Sequence, residues 1–358
     1  MAIYIVLIFY IVLANLLIGN KTDRARKRFC ICAFLALFLL QALRSYTVGV
    51  DLQAYRITFF NIDGLSFIKS LQYGNSVRME PALVGIMWII NKLCGSWQVF
   101  IVVISLFINA VVCGFAYRNS KNPVIFILIY IGLGLFVFSF SGLRQMCAIA
   151  FTMVAYDAML RKKFISFILS IALACICHIS ALIMIVMILF YKKRFTFKWF
   201  VAFSILMVAI MLFAQQIAKL IVPVIFPRYV NYLNKEYTFG FLGLFLVMTF
   251  WLLYAMNYYH KKVKKNNLAL FMVAIGACCQ SFGNVTTITS RLTFFFIPYF
   301  ALAFSNSIHS ESSVFSSQEK RNLIVLYCIF ILLALFLPNI LEGYLNVTPY
   351  QFFWQNQT

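Results

Sequence analysis

Long apolar runs alternate with short clusters of lysine and arginine along this chain, and that alternation predicts its elements. An α-helix needs ~20 apolar residues to cross the hydrocarbon core at ~1.5 Å per residue. The runs predict full spans at about 2–19, 29–45, 97–117, 123–140, 142–160, 199–221, 239–259, 267–283, 291–308 and 322–341. The apolar piece 81–94 has 14 residues and reads as re-entrant or interfacial. Between Arg161-Lys162-Lys163 and Lys192-Lys193-Arg194 lies a stretch whose flanks favour the same side of the membrane. Such a stretch enters and returns as two short helices, broken at Cys177-His178-Ile179-Ser180. One tilted helix over 164–190, with His178 at mid-depth, is the other reading. The fold class expected is all-α: a polytopic membrane bundle of about 10–12 membrane helices with short re-entrant or interfacial helices, in one domain over 1–358.

Composition agrees with this pattern. Of 358 residues, 64% are hydrophobic and 11% charged, which excludes a soluble domain and leaves helices as the spanning structure. A net charge of +21 would suggest nucleic acid in a soluble protein, but here it marks topology. Twenty of the 30 basic residues fall in loops at 20–28, 118–122, 161–163, 191–198, 260–266 and 309–321, which assigns those loops to the cytoplasm. The partner expected of the surface is membrane lipid, with no nucleic acid. The first apolar run lacks a basic residue ahead of it and reads as an uncleaved span with an external N-terminus. Facing outward are loops at about 46–96 and 222–238, turns at 139–144 and 283–291, and the tail from Glu342. The ten cysteines lie in or beside apolar runs without zinc spacing, so no metal is expected. No Walker A motif, dinucleotide loop or Asp-x-Asp pair is present, so no cofactor is expected either.

Ionisable residues at membrane depth or at external span ends carry the candidate chemistry. An intramembrane charge costs at least ~2.5–3.5 kcal/mol and by default lines a cavity or pathway. Arg44, Arg144 and Arg291 end three different spans on the external side, so a bundle can gather them around one anion. Each alone is equally read as snorkelling to lipid headgroups. Arg56, Arg78 and Arg228 complete the external arginines, which outnumber external lysines; inside, lysine leads. His178 titrates near neutral pH and is the natural general base, unless it only bonds a neighbouring carbonyl. Asp51 follows Gly49 after a span end and either pairs with an arginine or meets substrate. Glu80 precedes Pro81, where a carboxylate favours the helix dipole of 81–94. Tyr46, Tyr55, Tyr73 and the run Tyr229–Tyr237 offer aromatic faces of the kind that hold sugars.

Taken in order, Arg44, Val48-Gly49-Val50-Asp51, Tyr55, Glu80, Leu143-Arg144-Gln145 with Ala148 and Ala150, Arg161-Lys162-Lys163, Cys177-His178-Ile179-Ser180-Ala181-Leu182, and Arg291 with Phe294 to Pro298 resemble the EpsG family of bacterial polysaccharide polymerases. Many Wzy-type O-antigen polymerases belong to it. Val50 departs from the small polar residue that more often precedes the acid. The resemblance implies a glycosyltransferase of the inner membrane with its active site facing the periplasm. It joins oligosaccharide repeat units carried on undecaprenyl pyrophosphate, together with a chain-length-regulating co-polymerase. On that basis Arg44, Arg144 and Arg291 would hold pyrophosphate and His178 would be the base, with Asp51 its alternative. Gln145, Tyr55, Glu80 and Arg228 would position substrate or the other side chains.

Two other activities fit a polytopic bundle. A lipid-linked oligosaccharide flippase also wants a cationic cavity, but such transporters commonly show two similar halves, and none is visible here. A membrane O-acetyltransferase needs an acyl-donor site that the cytoplasmic loops do not supply.

Overall fold

Where helices begin, the chain supplies side chains for the amides that a first turn leaves open. Thr22 accepts from the Ala25 amide at 3.1 Å, and Ser66, Ser96 and Asn122 make the equivalent bonds to Lys69, Val99 and Ile125. Pro81 and Pro123 stand at first helical positions, where a missing N–H costs nothing. The computed structural model describes residues 1–19, 22–225, 240–258, 268–282, 291–308, 310, 312 and 314–356. They form α1 (Ala2–Ile18), α2 (Asp23–Ala42), α3 (Leu52–Asn61), α4 (Phe67–Ser76), α5 (Pro81–Leu93), α6 (Trp97–Asn119), α7 (Pro123–Gly132) and α8 (Leu135–Phe138). There follow α9 (Leu143–Leu160), α10 (Phe164–Cys177), a 3₁₀ segment (Ile179–Val186), α11 (Met187–Phe190), α12 (Phe197–Ile225), α13 (Gly240–Asn257) and α14 (Leu268–Ser281). The last are α15 (Ile297–Ser307), α16 (Ser317–Phe330), a π-helical segment (Ile331–Phe336) and α17 (Leu337–Leu341). No β-strand occurs among the described residues, and the chain is an all-α membrane bundle.

Among the described residues, three helical stretches are long and apolar enough to cross a membrane: Trp97–Asn119, Phe197–Leu220 and Ser317–Leu341. The others are shorter, and two predicted elements are interrupted. The run 123–140 breaks at Gly134, whose φ of 80° is a left-handed conformation that favours glycine. The stretch 164–190 breaks at His178, which leaves α10 in extended geometry (φ −164°, ψ 116°), so a single helix over 164–190 is excluded. The predicted loop 46–96 carries α3 and α4 ahead of the expected short helix α5.

The helices gather into two compact units, Met1–Ile185 with Cys328–Thr358, and Val186–Tyr327. In the first, α9 packs against α6 and α10, and α2 packs against α6. Fourteen of the 18 residues of α9 are buried, which makes it a central helix rather than a one-sided one. Ala148, Ala150, Ala155 and Ala158 keep its surface low, so neighbouring backbones approach closely. The C-terminal segment folds back over α1 and the end of α2: Tyr4 donates to the Val347 carbonyl at 2.9 Å, the Ser45 amide to Gln351 at 2.8 Å, and Tyr350 to Leu40 at 2.8 Å. In the second unit α14 packs against α12, α13 and α15. An aromatic cluster including Phe195, Phe203, Phe250 and Phe271 fills part of its interior.

Candidate active site

Two helix ends in the first unit build the site. Helix α4 closes with the Met79 amide bonded to the Gly74 carbonyl at 2.8 Å and the Arg78 amide to Asn75 at 3.1 Å, the paired bonds of a Schellman motif. That motif requires a left-handed residue after the cap. Here it is Arg78, with φ of 59°, where glycine would carry none of the strain of about 1 kcal/mol. Pro81 then keeps Glu80 extended (φ −69°, ψ 146°), and the Glu80 carboxylate makes no cap bond to α5. It turns instead to two other elements. Its Oε2 accepts from Arg144 Nη1 at 2.5 Å, and its Oε1 lies 2.7 Å from His178 Nδ1. Arg144, in the first turn of α9, also donates from Nη1 to the Arg78 carbonyl at 3.0 Å and from Nε to the Tyr55 hydroxyl at 3.2 Å. His178 is at the break after α10. Residues far apart in sequence thus converge on one carboxylate, and each of the three charged or titratable side chains keeps 21–30% of its surface exposed.

The electrostatics follow from these contacts. Burial alone would push the Glu80 carboxyl up, but the hydrogen bond with His178 and the charge and hydrogen bond of Arg144 outweigh it and hold the group below its ordinary value. Glu80 is therefore ionised near neutral pH and has no proton to give. The hydrogen in its bond with His178 therefore sits on Nδ1, which leaves Nε2 as the position that carries a lone pair in the neutral imidazole. Burial, only partly opposed by Arg144, pushes the Tyr55 phenol up to about 12, so it is a neutral hydroxyl. Among the described residues, neither His178 Nε2 nor Arg144 Nη2 has a hydrogen-bond partner. The arrangement is an imidazole and a guanidinium braced by one carboxylate.

Other residues named from the sequence fall in different places. Asp51 begins α3 and its amide donates to Ser141 Oγ at 3.1 Å, while its half-buried carboxylate makes no hydrogen bond or ion pair among the described residues. It is one turn from Tyr55, whose amide bonds the Asp51 carbonyl at 3.2 Å. Arg44 does not join Arg144 around a common partner. It is 1% exposed beneath the C-terminal segment, with its guanidinium on the Gln41 and Phe140 carbonyls and 4.9 Å above the Phe140 ring. Its role is to hold the turn that leads into α9, and Gly49 packs on the same turn so tightly that a Cβ there would lie 2.3 Å from the Phe140 oxygen. Gln145 is buried beside Arg144 on α9. Arg291 is exposed and belongs to the second unit. Arg228 lies outside the described residues.

A comparison with protein families matches residues 27–352 to the EpsG family. The chain belongs to the EpsG family. No curated protein and no solved structure matches it. EpsG membership supports a polysaccharide-polymerase role, and the matched range contains the whole Tyr55–Glu80–Arg144–His178 cluster. In this EpsG protein the described residues include no group of three His, Cys, Asp or Glu side chains placed to hold a metal. Sequence reasoning missed the Arg78 carbonyl and the bridging by Glu80. The only signal for either was the Arg78-Met79-Glu80-Pro81 spelling, in which proline forces extended backbone on the acid before it.

Proposed function

We propose that this protein is a Wzy-type polymerase that joins repeat units carried on undecaprenyl pyrophosphate at the periplasmic face of the inner membrane. The observation that carries the reading is the Arg144–Glu80–His178 chain, which holds an open imidazole nitrogen and an open guanidinium edge in one cluster. His178 Nε2 takes the proton from the acceptor sugar hydroxyl as that oxygen forms its bond to the anomeric carbon of the growing chain. The bond from that carbon to the pyrophosphate oxygen breaks, and the lipid pyrophosphate leaves with the bonding electrons. Arg144 meets the charge that develops there, and the donor's own pyrophosphate supplies the driving force. Glu80 fixes the tautomer of His178 and stabilises it once protonated, as a carboxylate does behind a catalytic histidine. Tyr55 and the Arg78 carbonyl orient Arg144, and Arg44 positions the turn before it. Asp51 is the candidate for contact with the acceptor sugar.

The test is a gene deletion in the host, complemented by wild type or Arg144→Ala at equal expression, with the extracted polysaccharide run on a gel. The proposal expects wild type to restore the ladder and Arg144→Ala to leave a single repeat unit on its acceptor. A full ladder from Arg144→Ala contradicts it. Loss of even the single unit in the deletion places the defect at or before translocation and favours a flippase.

A further inference from the structure

We infer that Arg78 is the second cation of the leaving-group site and grips the phosphate that Arg144 does not. The inference rests on the pyrophosphate reading above and adds a residue to it. Its starting point is a conformational outlier: Arg78 holds φ of 59° at the one position of the α4 cap where glycine would be unstrained. Left-handed non-glycine residues persist where their surroundings fix them, and since Lys162 holds a similar φ of 58° after α9, the strain gains meaning here only from what surrounds Arg78. Both Schellman bonds and the bond from Arg144 Nη1 to the Arg78 carbonyl fix this one.

The second observation is what surrounds the side chain. That carbonyl contact, 3.0 Å long, puts the Arg78 backbone beside the Arg144 guanidinium, well within reach of an extended arginine. The Arg78 side chain is exposed and makes no hydrogen bond or ion pair among the described residues. Glu80, two positions on, makes its contacts to Arg144 and His178 and none to Arg78. With Glu80 pairing only Arg144, a second guanidinium brought alongside is repelled unless a further anion joins the two. Pyrophosphate offers two phosphates, each able to accept a forked guanidinium bond. The other external arginines of this unit are occupied: Arg44 is buried, and Arg56 stacks 4.0 Å above the Tyr46 ring.

The experiment uses the full-length protein in detergent, with farnesyl pyrophosphate and farnesyl monophosphate as probes and melting temperature as a control. Wild type is expected to prefer the pyrophosphate. Arg78→Gly is expected to raise the melting temperature by relieving the backbone while it loses that preference by about tenfold or more. Arg78→Lys is expected to keep part of the preference. A structural residue would not move stability and ligand preference in opposite directions. If Arg78→Gly keeps the wild-type preference, the role given to Arg78 is wrong and the Arg144 site stands. If wild type ignores both probes, or Arg144→Ala binds them as wild type does, the pyrophosphate reading fails and this inference falls with it.

Discussion

Helix α9 carries a polar cluster at each end, separated by about 20 Å at ~1.5 Å per residue. At the Leu160 end Asp157 accepts from Arg118 Nε at 2.6 Å and from Asn119 Nδ2 at 2.5 Å, two neighbouring residues of the single helix α6. At the Leu143 end Glu80 is shared between Arg144 of α9 and His178 after α10, and Tyr55 of α3 joins through Arg144. Both clusters leave guanidinium nitrogens over, so a spare cation does not distinguish a working site from a staple. Two features do. The Leu143 end contains an imidazole, and its carboxylate joins two separate elements, α9 and the break after α10. A left-handed cap residue stands at both ends, Arg78 at one and Lys162 at the other, and does not separate them. The Leu160 end pins one helix to its neighbour with a fixed charge pair and an amide. A partly buried ion pair is weak evidence of function until something in it is able to react.

The sharpest way to break this contrast is to remove the proposed base. His178→Ala is expected to lower the polymerisation rate by about 10²–10⁴-fold with the protein still folded, measured per molecule on lipid-linked repeat units. Next comes Arg144→Lys, which keeps the charge but loses the fork that serves Glu80, Arg78 and Tyr55 at once. A loss of about tenfold or more is expected, against little change for Arg118→Lys in the same assay. Asp157→Asn should invert the pattern: it should cost about 1–3 kcal/mol of stability, read by thermal unfolding, and leave the rate per folded molecule intact. Smallest is Tyr55→Phe, which removes one acceptor from Arg144 and should slow the reaction by a few fold, for about 0.5–1.5 kcal/mol.

Acid sharpens the same comparison. Because the Glu80 carboxyl is held below its ordinary value when folded, its contribution to stability is full above the unfolded value near ~4.3 and is lost as pH falls through the lower folded value. Melting curves at falling pH should therefore show a loss below about pH 4.3 that Glu80→Gln lacks.

What the sequence disclosed and what it hid divide along one line. Helices α1 and α6 were legible to within two residues, because a long apolar run and, for α6, a serine cap decide them locally. Helices α3 and α4 were not, since their mixed sequences are held by distant contacts such as Trp88 Nε1 to the Leu65 carbonyl at 3.0 Å. Tyr55, Glu80, Arg144 and His178 were each named from residue type and position. Their assembly was hidden, because Glu80 reads locally as a helix-dipole carboxylate and only the packing of α5 against α10 turns it into a bridge. Arg44 misled for the same reason. Nothing near it in sequence announces that residues from the C-terminal segment cover it, with Phe352 bridging to its backbone.

The most direct test of the central claim is Glu80→Gln in the purified full-length protein, assayed for joining of lipid-linked repeat units with His178 and Arg144 both in place. The account predicts a protein that folds and binds lipid but polymerises at least about tenfold more slowly, since the base loses its orienting carboxylate. Wild-type rates from Glu80→Gln would mean that the cluster is a staple like the one at the other end of α9, and that the chemistry happens elsewhere.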